Sequence, residues 1–388
     1  MSSSTDRFAP TQKFVVSPPE SNEKPSTRPA HHANSTQTRY PSVSDWTKYF
    51  AGIFVGYSIP PVPMNIASLI PTQQPDWGVD LSREEMKATW LGHACFLVEL
   101  PAPRDAVRGA RIIFDPVFQD SRCSPVQFKG PQRFTPAPCD LHEIPAVDAI
   151  VLSHNHYDHT DTPTIQYLVQ QHNAHVFAPL GNKPYLSSIG VPTSNIHTLD
   201  WWEDCTVTIS VSSSSTSSST LTVTDVQFKL TCTPAQHTAN RTLLDRWTTL
   251  WASWTLEDLT CPGGKNAYFA GDTGYRTVRK GEDPESVPTC PAFKEIGEKL
   301  GPFDLAMIPI GAYDPRALFS GVHAHPADSV RIFKDVRAKK ALAMHWGTWI
   351  LTSEPIMEPP TELRRECDKA HITQEEFDIC ALGETRAF

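Results

Sequence analysis

The side chains best suited to chemistry lie in one short segment, residues 153–159, which reads Ser-His-Asn-His-Tyr-Asp-His. The apolar run just before it predicts a short buried strand. Residues two apart in an extended segment point to the same side, so His154 and His156 can bind one metal ion. Asp158 and His159 follow past the bend and can turn to a second ion nearby. The competing interpretation is a histidine cluster on the surface.

Further candidate side chains also follow predicted strands. His237, Asp272 and His345 come after apolar runs in the second half of the chain. Loops at the carboxyl ends of strands carry the chemistry in layered α/β proteins. Each half of the chain reads as a sheet with helices outside, the clearest of which is predicted over residues 162–172. We therefore expect the candidate side chains of both halves to meet at one edge of a layered α/β domain.

Several motifs accompany these residues in a fixed order. They are TWLGHA at 89–94, FDPVF at 114–118, GPQRF at 130–134, DWWE at 200–203, GDTGY at 271–275, IPIGAY at 308–313 and MHWGT at 344–348. Together they resemble the metallo-β-lactamase superfamily and, within it, the N-acylphosphatidylethanolamine-hydrolysing phospholipase D family. The resemblance covers roughly residues 85–386. It implies an α/β fold, the four-layer αββα metallo-β-lactamase sandwich.

The resemblance also implies a site with two Zn²⁺ ions per chain. The implied ligands are His154, His156 and His237 for one ion, Asp158, His159 and His345 for the other, and Asp272 as the bridge. Asp272 and His323 are the implied catalytic residues, Tyr157 and His323 the implied substrate contacts, and His93 and Asp115 the implied hydrogen-bond partners of ligands. At position 325 the family typically has an acid or Asn, whereas this chain has His325. The orientation of His323, and whether His325 shares its role, stay open.

The function implied by the resemblance is that of a zinc-dependent, phospholipase D-type phosphodiesterase. It would hydrolyse N-acylphosphatidylethanolamine to N-acylethanolamine and phosphatidic acid with a metal-bridging hydroxide. A metallo-hydrolase of a soluble phosphoester or lactone is the alternative, and a non-catalytic metal-binding protein is a second one. The loop at 124–134, with Lys129 and Arg133, is either a contact for an anionic headgroup or ordinary loop structure.

Composition limits the partners and the compartment. The net charge of -9, without a local basic stripe, argues against a nucleic-acid partner. Nine cysteines without a Cys-x-x-Cys pair favour free thiols in a reducing compartment. We therefore expect an intracellular protein, cytoplasmic or peripherally membrane-associated, with a mitochondrial location left open. The expected partner is phospholipid at a membrane surface, and a homodimer also stays open.

The chain divides into three predicted parts. Residues 1–41 are polar and predict a disordered tail. Residues 42–84 predict a segment that either docks onto the catalytic domain or contacts membrane; its lipophilic run at 46–59 is too short to span a bilayer. Residues 85–388 predict the catalytic domain, with a flexible Ser-rich insert at 211–220.

Overall fold

The computed structural model describes residues 11, 13–17, 59–118, 122–124, 128–212, 223–242 and 244–388. The strands are β1 (Lys13–Val16), β2 (Lys87–Gly92), β3 (Cys95–Glu99), β4 (Arg111–Phe114), β5 (Ala149–Val151), β6 (His175–Pro179), β7 (Ile196–Leu199), β8 (Asp204–Ser212), β9 (Val223–Thr233), β10 (Ser253–Asp258), β11 (Asn266–Phe269), β12 (Leu305–Pro309), β13 (Ala341–Met344), β14 (Phe377–Asp378) and β15 (Thr385–Ala387). The α-helices are α1 (Ile66–Leu69), α2 (Thr162–His172), α3 (Lys183–Ser188), α4 (Ala292–Lys299), α5 (Arg316–Phe319), α6 (Pro326–Asp335) and α7 (Glu358–Lys369). Single 3₁₀ turns occur at Leu141–Glu143, Thr193–Asn195 and Pro284–Ser286.

The strands form two mixed sheets. One sheet has the order β1-β8-β9-β10-β11-β12-β13-β14, and the other has the order β15-β2-β3-β4-β5-β6-β7. The run from β4 to β7 is parallel, as is the run from β11 to β14, while the remaining neighbours are antiparallel. Because parallel neighbours end at the same edge, the loops after β5, β11 and β13 can approach one another there.

A shared core joins the two sheets. Phe114 of β4 lies 4.7 Å, ring to ring, from Phe269 of β11, and both are fully buried. The indole N–H of Trp254 on β10 donates to the carbonyl of Leu152, 3.0 Å away, just after β5. A second apolar cluster lies between the smaller sheet and its outer helices. This arrangement confirms the predicted α/β sandwich.

Helix α2 follows the loop of residues 153–159 and holds it against the smaller sheet. It starts at Thr162, after Asp161, with Pro163 in its first turn, where a missing N–H costs nothing. Its buried side chains include Ile165 and Leu168, and the chain leaves the helix through Asn173 with φ +53°. The predicted range of this helix is confirmed.

The N-terminal region departs from its predicted disorder at one place. Lys13–Val16 pair with β8, and the Phe14 ring stacks on His175 at 3.7 Å. Thr11 also contacts Asp148 of the buried Arg108–Asp148 ion pair. Disorder is therefore the wrong prediction for these residues, because two apolar side chains at alternate positions suffice to add an edge strand. The other residues of the predicted tail lie outside the described residues.

Two more predicted segments are described only in part. The lipophilic run at 46–59 lies outside the described residues except for Ile59, whereas Ile70 and Trp77, further along, are buried in the domain. Of the predicted Ser-rich insert at 211–220, Val211 and Ser212 belong to β8, and the rest lies outside the described residues. Within the described residues, no helix is both long and apolar enough to cross a bilayer.

Candidate metal centre

The predicted ligands come together at one edge of the sandwich. His154, His156, Asp158 and His159 follow β5, His237 follows β9, Asp272 follows β11, and His345 follows β13. Every one of these loops leaves the carboxyl end of its strand. The side chains are separated by up to 191 positions in the sequence. Strand pairing within the larger sheet and packing of the two sheets against each other bring them together.

Three imidazoles form the first group. Nε2 of His154 lies 2.8 Å from Nδ1 of His156, which lies 3.3 Å from Nε2 of His237. Burial lowers the pKa of all three rings, so they stay neutral and keep a lone pair for a cation. Neutral imidazole nitrogens that converge in this way fit a borderline-soft divalent metal ion.

The second group combines two imidazoles with a carboxylate. Oδ2 of Asp158 lies 3.6 Å from Nε2 of His159 and 3.7 Å from Nε2 of His345. Both nitrogens are buried without a hydrogen bond of good geometry. Since buried polar atoms are ordinarily satisfied, the three side chains would be suited to share a cation.

Asp272 lies between the two groups. Its Oδ1 is 3.2 Å from Nε2 of His159 and 2.9 Å from Nε2 of His345. Its Oδ2 is 3.6 Å from Nε2 of His237 and 4.0 Å from Nε2 of His154. Burial raises the pKa of this carboxyl, but the neighbouring imidazoles of His159 and His345 outweigh burial and hold the pKa well below its usual value. An anionic carboxylate with one oxygen toward each group is the geometry that bridging requires.

Hydrogen bonds orient the ligand rings. Nδ1–H of His159 donates to Oδ2 of Asp115 at 2.6 Å, and Nδ1–H of His237 donates to the carbonyl of Val322 at 2.8 Å. Asp115 also accepts from the backbone N–H of Ser153 at 2.7 Å. Because Nδ1 carries the proton in both rings, Nε2 is left as the ligand atom. Asp115 thus occupies the supporting position that the resemblance implied.

His93 has a similar place beside the second group. Its Nε2–H donates to Oδ2 of Asp158 at 3.0 Å. Burial, followed by the charge of His345, lowers the pKa of His93 to about 3. The backbone of His93 has a φ of +50°, and its carbonyl accepts from the N–H of His345 at 3.0 Å. His93 therefore orients both a side chain and a backbone segment of the site.

The two histidines before α6 have different environments. Nδ1 of His323 lies 3.8 Å from Oδ2 of Asp272, and its ring faces the candidate ligands. His325 is the N-cap residue of α6, where its Nδ1 accepts from the backbone N–H of Ala327 at 3.1 Å. The structure separates the two residues: His323 faces the site, and His325 replaces a carboxylate or amide as a helix cap.

Tyr157 packs against a residue that the sequence did not single out. The guanidinium of Arg241 lies 4.0 Å from the Tyr157 ring and 4.4 Å from the Tyr185 ring. It also donates to the carbonyls of Asn155 and Thr160, at 3.0 and 3.1 Å. Arg241 therefore fixes two points of the loop that carries the candidate ligands. More than 80 positions separate it from those carbonyls, so no local sequence signal points to it.

Two other residues differ from the sequence-based expectations. Asn240 was not predicted, yet its Oδ1 lies 3.3 Å from Nε2 of His156. Arg133 was a candidate for an anionic headgroup, but it is buried and donates to the carbonyls of Thr135 and Val117 at 2.9 and 3.0 Å. Its guanidinium therefore holds together the loops around the site.

Comparison with known proteins agrees with this geometry. The model of the beta-lactamase superfamily domain matches residues 110–346. The chain belongs to the metallo-β-lactamase superfamily. Among relatives, N-acyl-phosphatidylethanolamine-hydrolyzing phospholipase D 1 of Caenorhabditis elegans is 36% identical over 310 residues, which cover 78% of this chain and 76% of the worm protein. This similarity supports the narrower family as well.

Two further relatives differ in length from the chain. An uncharacterized protein of Mycobacterium tuberculosis is 37% identical over 79% of this chain and 70% of its own length. The mitochondrial N-acyl-phosphatidylethanolamine-hydrolyzing phospholipase D of Saccharomyces cerevisiae is 32% identical over 71% of this chain, but only 50% of the yeast protein is covered.

Solved structures support the superfamily fold. A possible metal-dependent hydrolase from Veillonella parvula aligns with a TM-score of 0.51 over 78% of this chain and 100% of its own, at 14% identity. An isothiocyanate hydrolase from Delia radicum gut bacteria aligns with a TM-score of 0.50 over 78% of this chain and 99% of its own, at 19% identity. At these identities the likeness concerns the fold alone.

Proposed function

We propose that this metal-dependent hydrolase is a zinc phosphodiesterase of the phospholipase D type. Its substrate would be N-acylphosphatidylethanolamine, and its products N-acylethanolamine and phosphatidic acid. The observation that carries the proposal is Asp272, whose two oxygens face two complete groups of ligand side chains. The worm and yeast relatives, whose names give that activity, support the choice of lipid substrate.

The donor set fits two divalent cations. His154, His156 and His237 would hold one ion; Asp158, His159 and His345 would hold the other; and Asp272 would serve both. Imidazole nitrogen with carboxylate oxygen is a set that zinc accepts, and three ligands of its own leave each ion open positions. Bound ions would supply a water of lowered pKa and the positive charge that neutralises phosphoryl oxygens.

The chain itself orients the reactants. The side chain of His323 is 14% exposed and its Nδ1 lies 3.8 Å from Oδ2 of Asp272, so its imidazole could hydrogen-bond an oxygen of the scissile phosphate. Asp115, His93 and Arg241 hold the ligand side chains and their loop in place, which fixes the geometry before substrate arrives. Nothing in this arrangement requires a serine or cysteine nucleophile.

Labelled water tests the proposed bond cleavage. Attack by water at phosphorus places the solvent oxygen on phosphate and expels the ethanolamide oxygen as an alcohol. In ¹⁸O-water the label should appear in phosphatidic acid and not in N-acylethanolamine, by mass spectrometry of both products. Label in the ethanolamide, or cleavage of soluble phosphoesters or lactones but not of the lipid, would contradict the substrate assignment.

A further inference from the structure

Two loops beside the metal centre carry large apolar side chains that face solvent. Phe128 is 84% exposed and Leu244 is 96% exposed. Each has an exposed cationic neighbour close in sequence: Lys129 follows Phe128, and Arg246 follows Leu244 by two positions. A surface segment that combines a large apolar side chain with a cation suits an interface between water and lipid.

The loop of Phe128 is anchored beside the second ligand group. Arg122 and Gln132 form an antiparallel bridge, and the N–H of Cys123 donates to the carbonyl of Pro131 at 3.2 Å. Six residues after Phe128, the N–H of Phe134 donates to the carbonyl of Thr348 at 3.0 Å, three residues from His345. The described residues on both sides of this segment are therefore anchored close to the second ligand group.

The loop of Leu244 is anchored on the other candidate ligands. Arg241 ties its start to the carbonyls of Asn155 and Thr160 around the first histidines. Asp245 closes the turn, since its carboxylate accepts from the backbone N–H groups of Arg241 and Thr242, the latter at 2.8 Å. These contacts occupy the carboxylate of Asp245 and fix Leu244 in the turn, with its side chain in solvent.

From this placement we propose that the Phe128 and Leu244 loops form a docking surface for an anionic phospholipid bilayer. The apolar side chains would insert at the headgroup boundary, while Lys129 and Arg246 meet lipid phosphates. The positive charge is local, because the chain as a whole carries a net charge of -9. The proposal rests on the proposed function, since it would present the mouth of the site to a lipid substrate.

Vesicle binding without turnover tests the surface directly. The probes are phosphatidylcholine vesicles with and without phosphatidylglycerol, both free of N-acylated lipid, and the readout is co-sedimentation of the zinc-loaded protein. We expect F128S/L244S to lose about tenfold or more in partition onto the anionic vesicles. We expect K129Q/R246Q to lose most of the preference for anionic vesicles, at about fivefold for each charge.

The control is Leu259→Ser at the opposite edge of the sandwich. Leu259 is 39% exposed and follows the far end of β10. This variant should bind vesicles like the parent protein, and all variants should keep the parent metal content and thermal midpoint. Partition by F128S/L244S equal to the parent would overturn the proposal. So would unchanged vesicle binding with conversion of a dimer to a monomer, which would assign the surface to a second copy of the chain.

The two proposals fail separately. Because the vesicles contain no N-acylated lipid, loss of binding in F128S/L244S would support the docking surface even if the enzyme released no N-acylethanolamine. Release of N-acylethanolamine by a parent protein whose vesicle binding does not depend on Phe128 and Leu244 would keep the proposed function and remove the docking surface.

Discussion

Oδ1 of Asp272 lies 2.9 Å from Nε2 of His345, and neither atom makes a hydrogen bond of good geometry. The two atoms belong to loops after different strands of one sheet, and both are buried. A cation bound between the two side chains would account for this close approach, since burying a carboxylate without strong partners is costly.

Asp272→Ala should remove most of the bound metal, because one side chain serves both ions. The turnover rate should fall by about a thousandfold or more. Elemental analysis after dialysis should fall from close to two zinc equivalents per chain to well below one. The exposed Asp140→Ala variant is the control and should keep both properties. Full metal content in Asp272→Ala would show that the carboxylate is not a shared ligand.

Arg241→Ala should weaken zinc binding by about ten- to a hundredfold, because the loop of His154 and His156 loses its hydrogen bonds at two points. Competition with a chromogenic chelator measures the affinity without any substrate. Arg241→Lys should recover only part of it, since an ammonium lacks the planar guanidinium that lies over the Tyr157 and Tyr185 rings. Arg246→Ala, in the same loop, is the matched control. Equal affinity in Arg241→Ala and Arg246→Ala would argue that the arginine is dispensable.

His325→Asp should fold and bind zinc like the parent, because a carboxylate can accept the same N–H at the start of α6. His325→Ala should lower the free energy of unfolding by about 1 kcal/mol, as expected when a cap is lost. His323→Ala should instead keep stability and metal while slowing lipid hydrolysis. Chemical denaturation and product analysis separate the two positions. A loss of turnover in His325→Asp as large as in His323→Ala would mean that His325 shares the catalytic role.

Phe14→Ala should lower the free energy of unfolding by about 1–2 kcal/mol. The substitution removes the half-buried ring that packs against His175 and Phe177. Val15→Ala, whose side chain is 43% exposed on the same strand, is the control and should cost less than about 0.5 kcal/mol. Urea denaturation of the full-length variants measures both. Indistinguishable effects of the two substitutions would remove β1 from the stable part of the fold.

The same region should make stability depend on pH. Burial, followed by the charge of His197, lowers the pKa of His175 to about 4; burial, followed by Lys183, lowers the pKa of His197 to about 4. In the unfolded state both rings have a pKa of about 6.5. Between about pH 4 and pH 6.5 the unfolded state therefore binds more protons than the folded state. The stability that comes from burying these two neutral rings is therefore fully present above about pH 6.5 and is lost as the pH falls toward about 4.

The double variant H175Q/H197Q should therefore lose less stability than the parent between pH 6.5 and pH 4, as measured by urea denaturation across that range. The control is His142→Gln, whose side chain is 71% exposed. It should follow the parent profile. A parallel decline in the parent and in H175Q/H197Q would place the acid sensitivity elsewhere.

Sequence reasoning identified the family and the sandwich fold, and it proposed seven candidate ligands that the structure brings together. The candidates could be proposed because each follows an apolar strand, and because His154, His156, Asp158 and His159 occupy fixed spacings in one loop. Strand periodicity and loop position are local properties, so the sequence displays them directly. The same reasoning reached His93 and Asp115 only through the family resemblance.

What the sequence left open depended on contacts between distant segments. The place of Arg241 against Tyr157, the burial of Arg133 and the pairing of Lys13–Val16 with β8 all join residues or elements that local patterns cannot connect. The roles of His323 and His325 also required the tertiary structure, since the start of α6 fixes which ring turns inward. The local pattern thus determined which residues could bind metal. Strand pairing and packing decided which atoms meet, because only the closed sandwich brings the ends of β5, β9, β11 and β13 to one edge.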